Sequence, residues 1–150
     1  MRLSLQAQYA ICGMFDLAYN GQDLPVQVRV IGARQRIPAR YLEQIFQRLR
    51  RAELVRGKRG PGGGYVLART AASISLRDIV EAVEGPLGEI LGVGPPPHEG
   101  RNPYRPAFLW PELASRVAEA TAGLNLDDLC SEAAARGVQR ADAEVRMYHI

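Results

Sequence analysis

Cysteine and histidine are almost absent from this chain of 150 residues, with two of each. Two thiols exclude a disulfide-stapled secreted scaffold, and two imidazoles leave little for histidine-based catalysis. Long apolar runs are missing as well, since none approaches the ~20 residues that span a bilayer, so no membrane partner is expected. Catalytic signatures are equally scarce. The glycines at 57–64 lack the Gly-Lys-Ser/Thr ending and following helix of a phosphate-binding loop, and there is no Gly-x-Ser-x-Gly, His-Glu-x-x-His or Cys-x-x-Cys segment. An enzyme is therefore not expected. The opening residues Met1-Arg2-Leu3-Ser4-Leu5-Gln6 run directly into a helical pattern and do not form a secretion signal, so a cytoplasmic location is expected.

What is present is charge, unevenly placed. Residues 1–80 carry thirteen Lys/Arg against five Asp/Glu, an excess of eight positive charges. Residues 81–150 carry six against eleven, an excess of five negative ones. Such a division suggests that the first half meets a polyanion. Eighteen of the nineteen basic residues are Arg, whose planar guanidinium suits phosphates and base edges.

Apolar spacing predicts helices over residues 3–19, 26–35 and 39–52, with Asn20-Gly21-Gln22-Asp23 stopping the first and Ile37-Pro38 opening the third. In the third helix Leu42, Ile45, Phe46 and Leu49 make one stripe. Arg40, Glu43, Gln44, Gln47 and Arg51 make the opposite one, with Arg48 and Arg50 on its flanks. Two strands, 54–58 and 65–68, flank the turn Arg59-Gly60-Pro61-Gly62-Gly63-Gly64. Three helices followed by a hairpin with a basic, glycine-rich tip describe a winged helix-turn-helix. A fourth helix, 75–83, has Ser75 as its cap with Asp78 three residues on. Residues 85–106 hold five Gly and six Pro and read as a long loop. Helices at 107–122 and 126–136 follow, and 137–150 reads as a frayed tail.

The expected fold is thus mainly α with a small β wing. Residues 1–84 form a DNA-binding domain, 85–106 a loop, 107–136 C-terminal dimerisation helices and 137–150 a tail. An Arg/Glu/Gln helix face can read bases in the major groove, where Arg pairs with guanine, Gln with adenine, and Glu accepts from cytosine. Arg56, Lys58 and Arg59 on the hairpin can reach phosphates or the narrow minor groove. The competing reading is a winged-helix module for RNA or protein, although an RNA reader would show more exposed aromatics for stacking.

Met1-Arg2-Leu3-Ser4, Tyr41-Leu42-Glu43-Gln44-Ile45-Phe46, Leu49-Arg50-Arg51-Ala52-Glu53-Leu54-Val55 and Arg59-Gly60-Pro61-Gly62-Gly63-Gly64-Tyr65-Val66-Leu67 resemble the BadM/Rrf-two family of bacterial winged-helix transcription regulators. Within it they are most similar to the iron–sulfur assembly regulators. The likeness continues through 76–85 and resumes at Leu109-Trp110, covering roughly residues 1–135. It implies a homodimer on pseudo-palindromic double-stranded DNA. It further implies base reading by Arg40, Glu43 and Gln44, minor-groove entry by Arg59, and phosphate contacts by Tyr41, Arg51 and Arg56. The helix at 107–122, with Leu109, Leu113, Val117 and Ala120 in one stripe, would cross its partner at the dimer interface.

The resemblance also raises an iron–sulfur cluster, because such members carry three cysteines between the fourth helix and the long C-terminal helix. Here residues 85–129 contain no cysteine. Aligned on Trp110, the thiolate positions fall near Gly92, His98 and Tyr104, and a histidine ligand near Ala107. No cofactor is expected on that ground. The remaining candidates for a redox or metal sensor are His98 and Cys12, the latter on the first helix where some members place a ligand for the partner's site. The alternative for Cys12 is a small core residue, for His98 an exposed loop position, and for Cys130 simple packing.

Overall fold

The computed structural model describes residues 3–90 and 102–141. The first helix, α1 (Leu5–Asn20), starts at Ser4, whose hydroxyl accepts from the Ala7 amide. Its inner face is lined by Ala7, Ala10, Met14 and Leu17, all buried. After a turn come α2 (Val28–Gln35) and α3 (Ala39–Arg51), joined by Arg36-Ile37-Pro38 with Arg36 in the left-handed region. The stripe expected on α3 is the buried one: Leu42, Ile45, Phe46 and Leu49 are each at most 2% exposed. At about 1.5–3 kcal/mol per buried side chain, this stripe holds the helix with its polar face outward.

The hairpin pairs β1 (Val55–Lys58) with β2 (Gly64–Leu67), in register Val55↔Leu67 to Lys58↔Gly64. Its other edge carries an unexpected partner. Val26 exchanges both backbone hydrogen bonds with Tyr65, at 3.0 and 2.9 Å. The helix expected from residue 26 therefore begins at Val28, because the Val26 amide is already committed to the wing. Gly64 makes this approach possible: with φ +146, a Cβ there would stand 2.5 Å from the Val26 carbonyl.

The fourth helix, α4 (Leu76–Glu84), has a complete capping box in which Ser75 and Asp78 each accept the other's backbone amide. The loop expected over 85–106 contains a short helix, α5 (Leu87–Ile90), whose Leu87 is buried against Ala7 and Val80. α6 (Leu109–Ala122) begins two residues later than its spacing suggests and has no buried residue. α7 (Leu126–Ala135) behaves differently. The bridge Ser75↔Asn125 aligns its start with α4, and Leu126 enters the main core. Residues 138–141 also depart from the expected tail. The Tyr19 hydroxyl donates to the Val138 carbonyl at 2.8 Å, and the Ala141 amide donates to Asn20 at 2.9 Å. Residues 91–101 and 142–150, including His98, lie outside the described residues.

Among the described residues one charged group sits entirely inside. Asp16 on α1 is fully buried and accepts from Arg34 Nε and Nη2 and from Gln35 Nε2, the last at 2.9 Å. A buried carboxylate is tolerable only when paired in this way. The cluster pins the end of α2 to α1. Asp16→Ala leaves Arg34, whose side chain keeps 20% exposure, without its counter-charge. Stability in urea denaturation should fall by about 3 kcal/mol, the low end for a broken buried pair.

Candidate nucleic-acid interface

α3 presents Arg40, Tyr41, Glu43, Gln44, Gln47, Arg50 and Arg51 to solvent. This follows from 3.6-residue periodicity once the apolar stripe is buried. At its N-terminal end the Arg40 guanidinium lies 4.8 Å from the centre of the Tyr41 ring and donates to its hydroxyl at 3.1 Å. The two side chains leave the helix as one flat, cationic unit, and such stacking suits Arg better than Lys. Glu43 and Gln47 look onto a groove bounded by Gln27, which precedes α2, by Arg29 of α2 and by Gly64 and Tyr65 of the wing. Arg29 Nε donates to Gln27 Oε1 at 2.6 Å, which steadies its guanidinium at that rim.

The wing residues meet the helix from the other side. Arg56, Lys58 and Arg59 are exposed, and with Arg50 and Arg69 they line an open groove between the end of α3 and the hairpin. Five cations line one concavity, with Glu53 among them and Asp78 3.8 Å from Arg69 as the opposing carboxylates, and the net excess of positive charge attracts a phosphate backbone. At the wing tip, Gly60 and Gly62 hold positive φ and a Cβ would meet nothing there. With only the compact Pro61 ring between them, that leaves a thin edge of a size to enter a groove.

All eight residues singled out in the sequence for contact with nucleic acid lie on these exposed surfaces of α3 and the wing. Gln47, on the polar stripe, and Arg50, on its flank, share the grooves, and so do Arg29 and Arg69, which no motif marked. Arg29 and Arg69 fall outside the recognition-helix and turn motifs. Only the fold brings α2 and the residues after β2 beside α3.

The thiols are elsewhere. Cys12 on α1 and Cys130 on α7 are both half-buried and unpaired with each other. Burial pushes both thiols above the ordinary cysteine range, with Asp127 adding to the effect at Cys130. Among the described residues no three His, Cys, Asp or Glu side chains are grouped to hold a metal ion. Together with the lack of cysteine in residues 85–129, this donor set does not fit a conventional iron–sulfur cluster.

Residues 3–132 match the family model Rrf2, described as iron-dependent transcriptional regulator. The chain is 35% identical to the HTH-type transcriptional regulator IscR of Pectobacterium carotovorum over 147 residues, covering 97% of this chain and 90% of the relative. It is 36% identical to the IscR of Yersinia pseudotuberculosis over 129 residues, 86% of this chain and 79% of that one. Among solved structures, IscR of T. potens aligns with a TM-score of 0.74 at 28% identity, covering 97% and 96% of the two chains. CymR, the global cysteine regulator of B. subtilis, aligns with a TM-score of 0.72 at 30% identity, covering 88% and 98%. The helix-turn-helix, its basic wing and these relatives lead to one conclusion: the chain belongs to the Rrf2 family and is a DNA-binding transcriptional regulator, not an enzyme.

Proposed function

We propose that the protein acts in the cytoplasm as a homodimer on pseudo-palindromic duplex DNA. In each half-site α3 lies in the major groove and the wing against the adjoining backbone and minor groove. The observation that carries this reading is the continuity of the exposed α3 face with the cationic wing groove around Arg50, Arg56, Lys58 and Arg59. Arg40, Glu43 and Gln44 read base edges. Tyr41, Arg51 and Arg56 hold phosphates, while Lys58 and Arg59 follow the wing tip toward the minor groove. With about four to five phosphate contacts per subunit, log K against log salt should have a slope of about −8. Arg59→Ala should weaken binding by at most about 1–3 kcal/mol, chiefly on duplexes with a narrow minor groove. Unchanged affinity on every duplex tested would remove Arg59 from the interface.

Dimerisation is supported by α6. Phe108 (76% exposed), Leu109 and Leu113 (each 40%) lie uncovered at its N-terminal end, a concentration of apolar surface that a lone protomer leaves wet. Pairing two copies through α6 would bury it and set two reading heads at a fixed spacing. Leu113→Asp should convert the dimer to monomer in sedimentation and lower affinity for a two-half-site duplex far more than for a single half-site.

We also propose that regulation proceeds without a conventional iron–sulfur cluster, on the donor chemistry of residues 85–129. Anaerobically purified protein should be colourless and free of stoichiometric iron and sulfide while still binding duplex DNA. A brown protein with both elements would overturn this.

A further inference from the structure

Of the arginines in the last turns of α3, Arg48 alone is turned inward. It is half-buried, and its Nη1 donates both to Gln6 Oε1 on α1 at 2.8 Å and to the Val83 carbonyl on α4 at 3.2 Å. Beside it the Ser4 hydroxyl, which caps α1, donates to the carboxylate of Glu84, the last residue of α4. Three helix segments therefore meet in one polar clasp: the start of α1, the C-terminal half of α3 and the end of α4. Immediately beyond, Gly85 at φ 90 turns the chain toward α5.

The geometry is unusual for an arginine on a DNA-reading helix. Its neighbours Arg50 and Arg51 are exposed and can meet phosphates, whereas Arg48 commits its Nη1 to two acceptors within the fold. The Val83 carbonyl belongs to the last turn of α4, where carbonyls lack intrahelical partners, so a charged donor there is favoured by both hydrogen bonding and the helix dipole. The apolar stripe keeps α3 against the core but, being non-directional, leaves small rotations about the helix axis inexpensive. Hydrogen bonds from a planar guanidinium to two different helices are directional.

We infer that Arg48 is a positioning residue: it sets the rotation of α3 against α1 and α4, and so the register in which Arg40, Glu43 and Gln44 meet base edges, without touching DNA itself. Arg48 thereby links the end of α4 to the reading face. The inference rests on the DNA-binding reading of α3 and deepens it.

The test uses the full chain, a duplex selected from a random pool by the wild-type protein, and a scrambled duplex of equal length. Arg48→Met keeps the stem but removes the donors. Affinity for the selected duplex should fall about tenfold, the scale of one lost base contact, while affinity for the scrambled duplex and the salt slope stay unchanged. Gln6→Ala, which removes one acceptor and leaves every charge in place, should lose selectivity in the same direction by a smaller factor. It decides the matter if Arg48→Met does not fold. A salt slope shallower by about one per subunit, with both duplexes weakened alike, would make Arg48 a phosphate contact and overturn the inference. A lower Tm with undiminished selectivity would also overturn it, by leaving Arg48 a purely structural role. Failure of the wild-type protein to select any duplex would instead bring down the DNA-binding reading, and the inference with it.

Discussion

Phe46 is the residue on which the reading surface depends. It is fully buried on α3, its ring lies 5.1 Å from that of Tyr65 on β2, and it faces Gly13 of α1. A Cβ at Gly13 would come within 3.0 Å of the Phe46 ring, so the helix axes sit as close as they do because that position has no side chain. Through Phe46, α1 supports α3 and α3 supports the wing. Tyr65 in turn holds Val26 ahead of α2 by two backbone hydrogen bonds. The recognition helix and the hairpin are therefore parts of one packed body rather than two appendages, and Arg50 at the end of α3 shares one cationic groove with the wing.

Concentrating so much positive charge on one side of a small domain costs self-repulsion in the free protein, which duplex DNA relieves on binding. The chain keeps the charge of the α3 face and the wing outside, while Arg69 and Arg77 pair at the surface with Asp78 and Glu81. Asp16 with Arg34 is the buried exception, and it joins α1 to α2 on another part of α1 from the contacts with α3. Arg48 is a second arginine engaged within the fold. Such partnered side chains give orientation where apolar packing gives only adhesion.

The C-terminal half divides by its attachments. α7 is fastened to the body by Leu126 in the main core and by two backbone hydrogen bonds, Leu126 amide to Ile74 carbonyl and Leu76 amide to Leu124 carbonyl, each 2.9 Å. Beyond it, Arg140 lies 3.9 Å from the centre of the Tyr19 ring and donates to the Tyr19 carbonyl at 2.7 Å, closing the chain onto the end of α1. α6 packs through Ala118 against the small cluster of Ala7, Val80 and Leu87, and keeps Leu109 and Leu113 exposed. That contrast explains why two helices of similar apolar spacing stand in different relations to the core.

Much of the architecture was legible in the sequence because its causes act within a turn or two of chain. The stripe Leu42, Ile45, Phe46 and Leu49 announces both the helix and its buried face, and so exposes Arg40, Glu43 and Gln44. Ser75 with Asp78 marks the start of α4, and the glycines at 60–64 mark the wing tip. These features depend on dihedral preference and periodicity, which residues close in sequence determine among themselves. The rest was decided by which surfaces meet. The pairing of Val26 with Tyr65, the seating of Leu87 under Val80, the Asp16–Arg34 pair, the bonds from Arg48 to Gln6 and Val83, and the position of Arg29 and Arg69 beside α3 join residues that share no local pattern. Nothing in the spacing around Arg48 separates it from Arg50. One turns inward and the other outward because α1 and α4 present an acceptor on one side of α3 and water lies on the other.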